Sequence, residues 1–292
     1  MNKGGLIVKS NLFKAPVLDI IRKRTSVRSY SDKPVTKDVI DNIKEYAERI
    51  ETPFKGNVRF AFLSEEDGLD KLGGKIGTYG IIKGAKNYIA IIGDSKEQSL
   101  FKVGYMGENL ILYMTSLGLG TCWMGGTYDK GAIKKSLDLL EDEKLYIIIP
   151  FGYPLEKRSR VDYFMRFAAG SNQRKVWEEL FFLERTDYPL LEDEEVYLEA
   201  LEGLRMAPSA SNKQPWVVIK RDGHYDFYLK PTPGYGDTLG FKIQEVDIGI
   251  AICHFQMVLN DNGINGTWKV REKKESNNDK LLYVMTWSEE GR

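Results

Sequence analysis

Apolar residues recur along this chain at two different spacings, which predicts a mixture of helices and strands. Residues 195–205 and 17–22 carry apolar side chains at helical spacing. Residues 216–219 and 145–149 are instead short, continuous apolar runs rich in β-branched side chains, which is typical of buried strands. The longest apolar runs are of strand length, so no segment is a candidate for a transmembrane helix.

A polar loop between two prolines, residues 207–216, joins one predicted helix to one predicted strand. Pro208 and Pro215 disfavour helical backbone at the residues that precede them. The hydroxyl and amide groups between them, which can hydrogen-bond a ligand, belong to Ser209, Ser211 and Asn212. Taken alone, the pattern fits a ligand-binding loop and an ordinary helix-to-strand connection equally well.

A second polar cluster follows the predicted helix at 17–22. Arg24, Ser26 and Arg28 alternate along the chain, and in extended backbone every second side chain points to the same face. Two guanidinium groups and one hydroxyl would then share a face that matches a phosphate or a carbonyl-rich ring edge. Taken alone, a solvated basic helix C-terminus is the simpler explanation of this cluster.

Together with two further motifs, these clusters resemble the FMN-dependent nitroreductase family. The further motifs are the glycine-rich segment 118–126, which follows the helix-like run 107–117, and the segment 151–154, which leads to Arg174 and Lys175. Each motif is weak by itself, but the four are specific as a set and span most of the chain. The resemblance implies an α+β fold in which mainly antiparallel sheets are flanked by helices.

The order of the motifs departs from the family pattern, in which the proline-bounded loop follows shortly after the basic segment of one subunit. An internal repeat with a shift of about 145 positions would explain the difference. This shift pairs Gly104 with Gly249, Gly118 with Gly263, Leu119 with Ile264 and Trp123 with Trp268. We therefore predict two tandem nitroreductase-like halves, residues 1–176 and a shorter half at 177–292, which form an internal pseudo-dimer within a monomer.

In the family, the flavin lies at the subunit interface and contacts both subunits. The resemblance therefore implies one composite FMN site in this chain, built from both halves. Its members are Arg24, Ser26, Arg28, Met124, Gly125, Gly126, Arg174 and Lys175 from the first half, with Pro208, Ser209, Ala210 and Asn212 from the second. The symmetry-related site lacks its parts, because residues 184–188 stand where its basic segment would be needed. We expect one flavin per chain.

The implied roles follow from what bound FMN requires. Arg24, with Arg174 or Lys175, would hold the phosphate through charge-assisted hydrogen bonds. Arg28 and Asn212 would face the ring edge, where positive charge stabilises the reduced flavin. The flavin carries the redox chemistry, so no side chain is assigned as a catalytic acid or base.

The resemblance implies an oxidoreductase that uses NADH or NADPH to reduce FMN and then reduces a nitroaromatic, a quinone or a similar electron-poor small molecule. Two alternatives stay open: a flavin-binding protein with little turnover, and a degenerate binding protein that keeps the fold without flavin. A reductive dehalogenase is a further alternative among the oxidoreductases.

The amino-acid composition argues against two other classes of function, nucleic-acid binding and binding to an anionic membrane. The 292 residues include 42 basic and 42 acidic side chains, so the formal net charge is zero. This balance argues against bulk attraction to nucleic acid or to an anionic membrane. The first residues lack the apolar run of a signal peptide, and we expect a soluble, cytoplasmic protein.

The cysteines and histidines suggest no chemistry of their own. Cys122 and Cys253 are the only cysteines, and each lies in an apolar segment, so we expect buried, inert thiols. His224 and His254 lack the spacing of metal ligands, so no metal site is predicted. We expect His254 to pack against neighbours on its own helix.

Overall fold

The computed structural model describes residues 13–64, 81–126, 128, 130–134, 136–156, 173–192, 197–271 and 278–290. The helices are α1 (Val17–Lys23), α2 (Lys37–Glu48), α3 (Ser99–Ser116), α4 (Lys130–Lys134), α5 (Leu198–Arg205) and α6 (Ile243–Asp261). The strands are β1 (Val58–Ser64), β2 (Asn87–Gly93), β3 (Gly120–Thr121), β4 (Lys144–Gly152), β5 (Phe181–Leu183), β6 (Trp216–Arg221), β7 (His224–Leu229), β8 (Gly266–Lys269) and β9 (Leu282–Glu289). They form two mainly antiparallel sheets, which confirms the predicted α+β class.

The first sheet has the strand order β1, β2, β4, β3 and is antiparallel throughout. Its central strands β2 and β4 are buried along most of their length, because both are apolar at successive positions. Alternate residues of β2 point to opposite faces. Ile89 and Ile91 therefore pack into the main core, whereas Ala90 and Ile92 pack into a smaller cluster on the other face.

The second sheet has the strand order β5, β6, β7, β9, β8. Strand β5 pairs with β6 in parallel, and the other neighbours are antiparallel. If the edge strand β5 is left out, the strand order of the second sheet is β6, β7, β9, β8. Strand for strand, this matches the order β1, β2, β4, β3 of the first sheet. The two halves of the molecule thus share one sheet topology.

Helices α3 and α6 pack against each other, and α5 packs against α6. Nearly every residue of α6 is buried, which explains why its sequence is apolar on all sides. The main core cluster contains residues of both sheets and of both long helices, among them Ile149, Leu110, Phe227 and Phe255. One continuous core therefore joins the two halves.

The elements predicted from the apolar pattern are present. The expected strands at 216–219 and 145–149 lie within β6 and β4, and the helix expected at 17–22 is α1. The helix expected at 107–117 begins earlier, at Ser99. The helix expected at 195–205 is α5, which begins at Leu198 among the described residues. None of the described helices combines the length and the apolar character needed to cross a bilayer.

Candidate functional site

A cavity of about 370 Å³ is lined by residues of both halves. Its volume lies within the usual range of small-molecule sites. The members of the predicted set that line it are Arg24, Ser26, Arg28, Gly125, Arg174, Pro208, Ser209, Ala210 and Asn212. Segments that are far apart in sequence, among them the basic segment and the proline-bounded loop, therefore meet at one place.

Three predicted residues lie next to the cavity lining without forming part of it. The Met124 side chain is buried in the smaller core cluster of the first half. Gly126 lies against the end of the Leu239 side chain, since a Cβ atom there would come within 2.3 Å of Leu239 Cδ2. Lys175 is engaged by the loop, since its Nζ donates to the carbonyl oxygen of Gln214 at 3.0 Å.

The basic segment is extended because it pairs with the edge of the first sheet. Ser26 forms a parallel bridge with Thr121 of β3, and the Val27 amide donates to the Thr121 carbonyl at 2.8 Å. The predicted alternation is thereby realised, as Arg24, Ser26 and Arg28 all line the cavity. Thr25 also lines it, so the cavity wall follows the backbone as well as one face of the segment.

Arg24 is held from behind by a buried carboxylate. Its side chain is 8% exposed, and its Nε lies 3.5 Å from Oε1 of Glu108, which is fully buried on α3. The indole Nε1 of Trp123 donates to the other oxygen of Glu108 at 2.7 Å. Both Arg24 and Trp123 line the cavity, so Glu108 fixes two parts of its wall at once.

His254 completes this buried cluster, and the expectation that it packs against its own helix was wrong. Its Nδ1 lies 2.8 Å from the carbonyl oxygen of Gly203 on α5, and a carbonyl only accepts, so Nδ1 donates. Its Nε2 lies 3.0 Å from Oε1 of Glu108. This contact joins α6 to α3.

The ionisation of Glu108 follows from these contacts. Burial raises its pKa, but the hydrogen bond with His254, the charge of Arg24 and the Trp123 indole together bring the pKa below its usual value. A buried carboxylate that is paired and hydrogen-bonded on both oxygens stays charged. Glu108 thus provides a fixed negative charge behind Arg24.

The proline-bounded loop is held in a strained backbone conformation. Ser211, Asn212 and Gln214 have φ angles of 47°, 54° and 47°, in the left-handed region that favours glycine. The conformation is held by the Gln214 amide, which donates to Ser209 Oγ at 2.8 Å, and by the Tyr235 hydroxyl, which donates to Ser211 Oγ at 2.8 Å. Strain of this kind is concentrated at functional sites.

Arg174 and Asn212 meet where the segment at 173–174 contacts the proline-bounded loop. Nη1 of Arg174 donates to Oδ1 of Asn212 at 3.2 Å, and its Nε donates to the Met206 carbonyl at 3.3 Å. In return, Nδ2 of Asn212 donates to the carbonyl oxygen of Gln173 at 2.8 Å. The segment at 173–174 is thereby fastened to the proline-bounded loop.

One face of α6 forms a further part of the wall, through Ile243, Val246, Asp247 and Ile250. Asp247 is 2% exposed. Its Oδ1 accepts from the backbone amide of Ala210 at 2.8 Å, and its Oδ2 has no hydrogen-bond partner. Burial, opposed by this one hydrogen bond, raises the pKa of Asp247 to about 8.

The sequence prediction missed Asp247 and Glu108. Glu108 is the one acidic residue of α3, and that isolation is a signal that could have marked it. Asp247 follows Glu245 by two positions on α6, so its sequence context carries no such signal. Among the described residues that line the cavity, Asp247 is the only acidic one; the basic ones are Arg22, Arg24, Arg28 and Arg174. The cavity thus combines a cationic wall with the apolar face of α6, which suits an anionic ligand with a planar, apolar part.

Residues 16–259 match the model of a protein family described as "Putative TM nitroreductase". A protein of Methanothermobacter thermautotrophicus named "Putative NADH dehydrogenase/NAD(P)H nitroreductase" is 28% identical over 169 residues, which are 54% of this chain and 87% of that protein. A protein of Archaeoglobus fulgidus with the same name is 25% identical over 177 residues, which are 55% of this chain and 98% of that protein.

Among solved structures, the crystal structure of a "putative nitroreductase" of Thermotoga maritima is similar with a TM-score of 0.56 at 21% identity, covering 94% of this chain and 93% of that chain. This similarity shows a shared fold. The family model matches most of the chain, and the chain belongs to this nitroreductase family.

Proposed function

We propose that the protein is an FMN-dependent oxidoreductase that takes electrons from NADH or NADPH and reduces electron-poor acceptors such as nitroaromatics or quinones. The observation that carries this proposal is the composite cavity. Arg24, Arg28 and Arg174 line it together with the proline-bounded loop of the second half. The names of the family and of its archaeal relatives support the oxidoreductase class.

The residues present fit FMN in charge and shape. Arg24 and Arg174 would bind its phosphate, since both side chains line the cavity. Arg28 and Asn212 would face the polar edge of the ring, while the apolar face of α6 excludes water from the ring. When bound, FMN supplies the redox chemistry by accepting a hydride from the nicotinamide and passing electrons to the acceptor.

We also propose that the two halves, 1–176 and 177–292, are a tandem duplication that acts as an internal pseudo-dimer with one FMN per chain. The shared strand order of the two sheets supports this. So do the archaeal relatives, which match along nearly their whole length while covering about half of this chain. A monomer would then suffice to form the site.

The first experiment is to purify the protein, record its visible absorption spectrum and quantify the released flavin. We expect about one FMN per chain, either retained or rebound from solution. A colourless protein that fails to bind added FMN would overturn the proposal in favour of the degenerate binding protein. Two FMN per chain would contradict the single composite site.

A matched pair of variants tests the cationic wall. Arg28→Gln should weaken FMN binding at least tenfold, since a hydrogen bond from a charged donor contributes about 1.5–3 kcal/mol. Arg185→Gln removes the same charge at an exposed surface pair with Asp187 and should leave the affinity unchanged. Fluorescence titration of FMN measures both. Equal affinities of the two variants would contradict the assigned site.

Turnover distinguishes the enzyme from a flavin-binding protein. The FMN-loaded protein should be reduced by NADH or NADPH in the absence of oxygen, as followed at the flavin absorbance, and reoxidised by an added quinone or nitroaromatic. Reoxidation much faster than that of free reduced FMN supports an enzyme. Reoxidation at the rate of free reduced FMN would instead identify a flavin-binding protein with little turnover.

A further inference from the structure

Asp247 has no part in the function proposed so far, although it lies in the wall of the same cavity. It is placed there by helical spacing, one residue after Val246 and three before Ile250, on the face that α6 turns toward the cavity. Only one of its oxygens is engaged: Oδ1 accepts from the amide of Ala210. The other, Oδ2, is buried and has no hydrogen-bond partner.

A buried polar atom without a partner destabilises the fold, and a buried carboxylate with one charged, unpaired oxygen destabilises it more. Both effects are removed if Oδ2 carries a proton and a bound ligand accepts the hydrogen bond.

The charged and titratable groups around Asp247 and its cavity come from four segments of the chain. Tyr235, from the segment before α6, has its pKa raised mainly by burial and in part by the charge of Asp247, against a hydrogen bond with Ser211. The guanidinium groups that line the same cavity are those of Arg22, Arg24, Arg28 and Arg174. Arg22 is paired with Asp19 and Arg24 with Glu108, so these two cations are partly neutralised by other carboxylates.

We propose that Asp247 binds the ligand of this cavity as a neutral carboxylic acid, donating a hydrogen bond from Oδ2 to an acceptor atom of the ligand. The proposal rests on the proposed function, in which the ligand is FMN and the acceptor is a carbonyl oxygen or an unprotonated nitrogen of its ring. A neutral acid adds a donor without placing a negative charge near an anionic ligand. Asp247 therefore links ligand affinity to pH.

Ligand affinity should fall at high pH, because the protonated form of Asp247 is the form that binds. Below a pKa of about 8 the acid is neutral and affinity is constant. Above it, ionisation removes the donor and adds a repulsive charge, so affinity should fall by about tenfold per pH unit. Asp247→Asn keeps an acceptor for the Ala210 amide and a donor toward the cavity at every pH.

The first test does not involve flavin. Infrared difference spectra between wild type and Asp247→Asn should show the carbonyl stretch of a protonated carboxylic acid at about pH 6, and this band should vanish by about pH 9.5, above the raised pKa. A titration of the band in wild type alone gives the same information if the variant folds poorly. Absence of the band at about pH 6 would overturn the proposal.

The second test measures FMN affinity by fluorescence between about pH 7, where the phosphate is already doubly charged, and about pH 9.5. Wild type and the control Glu245→Gln, on the same helix outside the cavity lining, should lose about tenfold in affinity per pH unit above the pKa of Asp247. Asp247→Asn should lose much less. All other titrating groups are the same in wild type and in Asp247→Asn. The difference between the pH slopes of these two proteins therefore reports on Asp247.

The outcomes separate the two proposals. Equal pH slopes for wild type and Asp247→Asn, with FMN bound by both, would refute the role of Asp247 and leave the proposed function standing. A protein that binds no FMN at any pH would refute the proposed function, and with it the ligand assigned to Asp247, even if the infrared band is present.

Discussion

Gly104 of α3 and Gly249 of α6 each pack against the backbone of the other's helix. A Cβ atom at Gly104 would lie 2.0 Å from the carbonyl oxygen of Val246, and one at Gly249 would lie 2.1 Å from that of Phe101. Val246 precedes Gly249 by three positions on α6, and Phe101 precedes Gly104 by three positions on α3. Such reciprocal contacts are expected across a two-fold axis, which supports the proposed duplication.

We predict that Gly104→Ala and Gly249→Ala each lower the free energy of unfolding by about 1–3 kcal/mol or more, because each helix must move to admit a methyl group. The gain in helix propensity on replacing glycine by alanine, about 1 kcal/mol, acts in the opposite direction. Urea denaturation measures the net effect. The exposed Ser116→Ala on α3 is the control and should stay near the wild-type value. A stabilised glycine variant would refute the close contact.

The buried cluster around Glu108 gives a second prediction. Glu108→Gln should lower the free energy of unfolding by about 3–5 kcal/mol, since it leaves Arg24 and His254 without their buried carboxylate. It should also weaken FMN binding, because Arg24 is no longer held. The control Glu45→Gln removes an exposed ion pair with Arg49. Its free energy of unfolding should differ from that of wild type by less than about 1 kcal/mol. Equal stabilities of the two variants would contradict this account.

Backbone strain at Ser211 can be tested by comparing Ser211→Gly with Ser211→Ala. Both lose the hydroxyl that accepts from Tyr235, but only glycine adopts the left-handed backbone without a penalty. The glycine variant should therefore be more stable than the alanine variant by about 1–2 kcal/mol. Thermal unfolding of both proteins provides the measurement. If the alanine variant is the more stable, the loop is not strained at this position.

We expect the stability of the protein to depend on pH through the ion pair of Arg59 and Glu143, which is not part of the cavity lining. Nε and Nη2 of Arg59 donate to the two carboxylate oxygens of Glu143 at 2.7 Å. Hydrogen bonding from Arg59, opposed by burial and helped by the Leu140 amide, lowers the pKa of Glu143 to about 2.

Because the pKa of Glu143 is lowered in the folded state, its contribution is complete above the unfolded value of about 4.3 and is lost as pH falls toward about 2. Wild type should therefore be more stable than Glu143→Gln at neutral pH, and the difference should shrink through that window. Unfolding curves of both proteins at several pH values measure this. A difference that stays constant down to about pH 2 would contradict the pairing.

Much of the fold could be predicted from sequence because its determinants are local. The apolar runs that became β4 and β6 are continuous, as buried strands require. The motifs of the basic segment and of the proline-bounded loop were likewise sufficient to indicate the family. Local patterns also predicted that Cys122 and Cys253 would be buried thiols, which the structure confirms.

The parts that sequence did not predict depend on side-chain direction and on distant contacts. Trp123 and Gly125 line the cavity, whereas Met124 between them bridges to Ile148 and points into the core. Strand alternation explains this difference. The contact of His254 with Glu108 joins residues 146 positions apart, and no spacing rule relates them.

The cavity takes its wall from both halves, and both halves belong to one polypeptide. A site shared between separate subunits disappears on dilution, whereas the covalent link keeps the two halves at a fixed effective concentration. In a symmetric dimer, every substitution also appears twice. Here each wall can change alone, so Asp247 on one side and the arginines on the other are free to evolve independently.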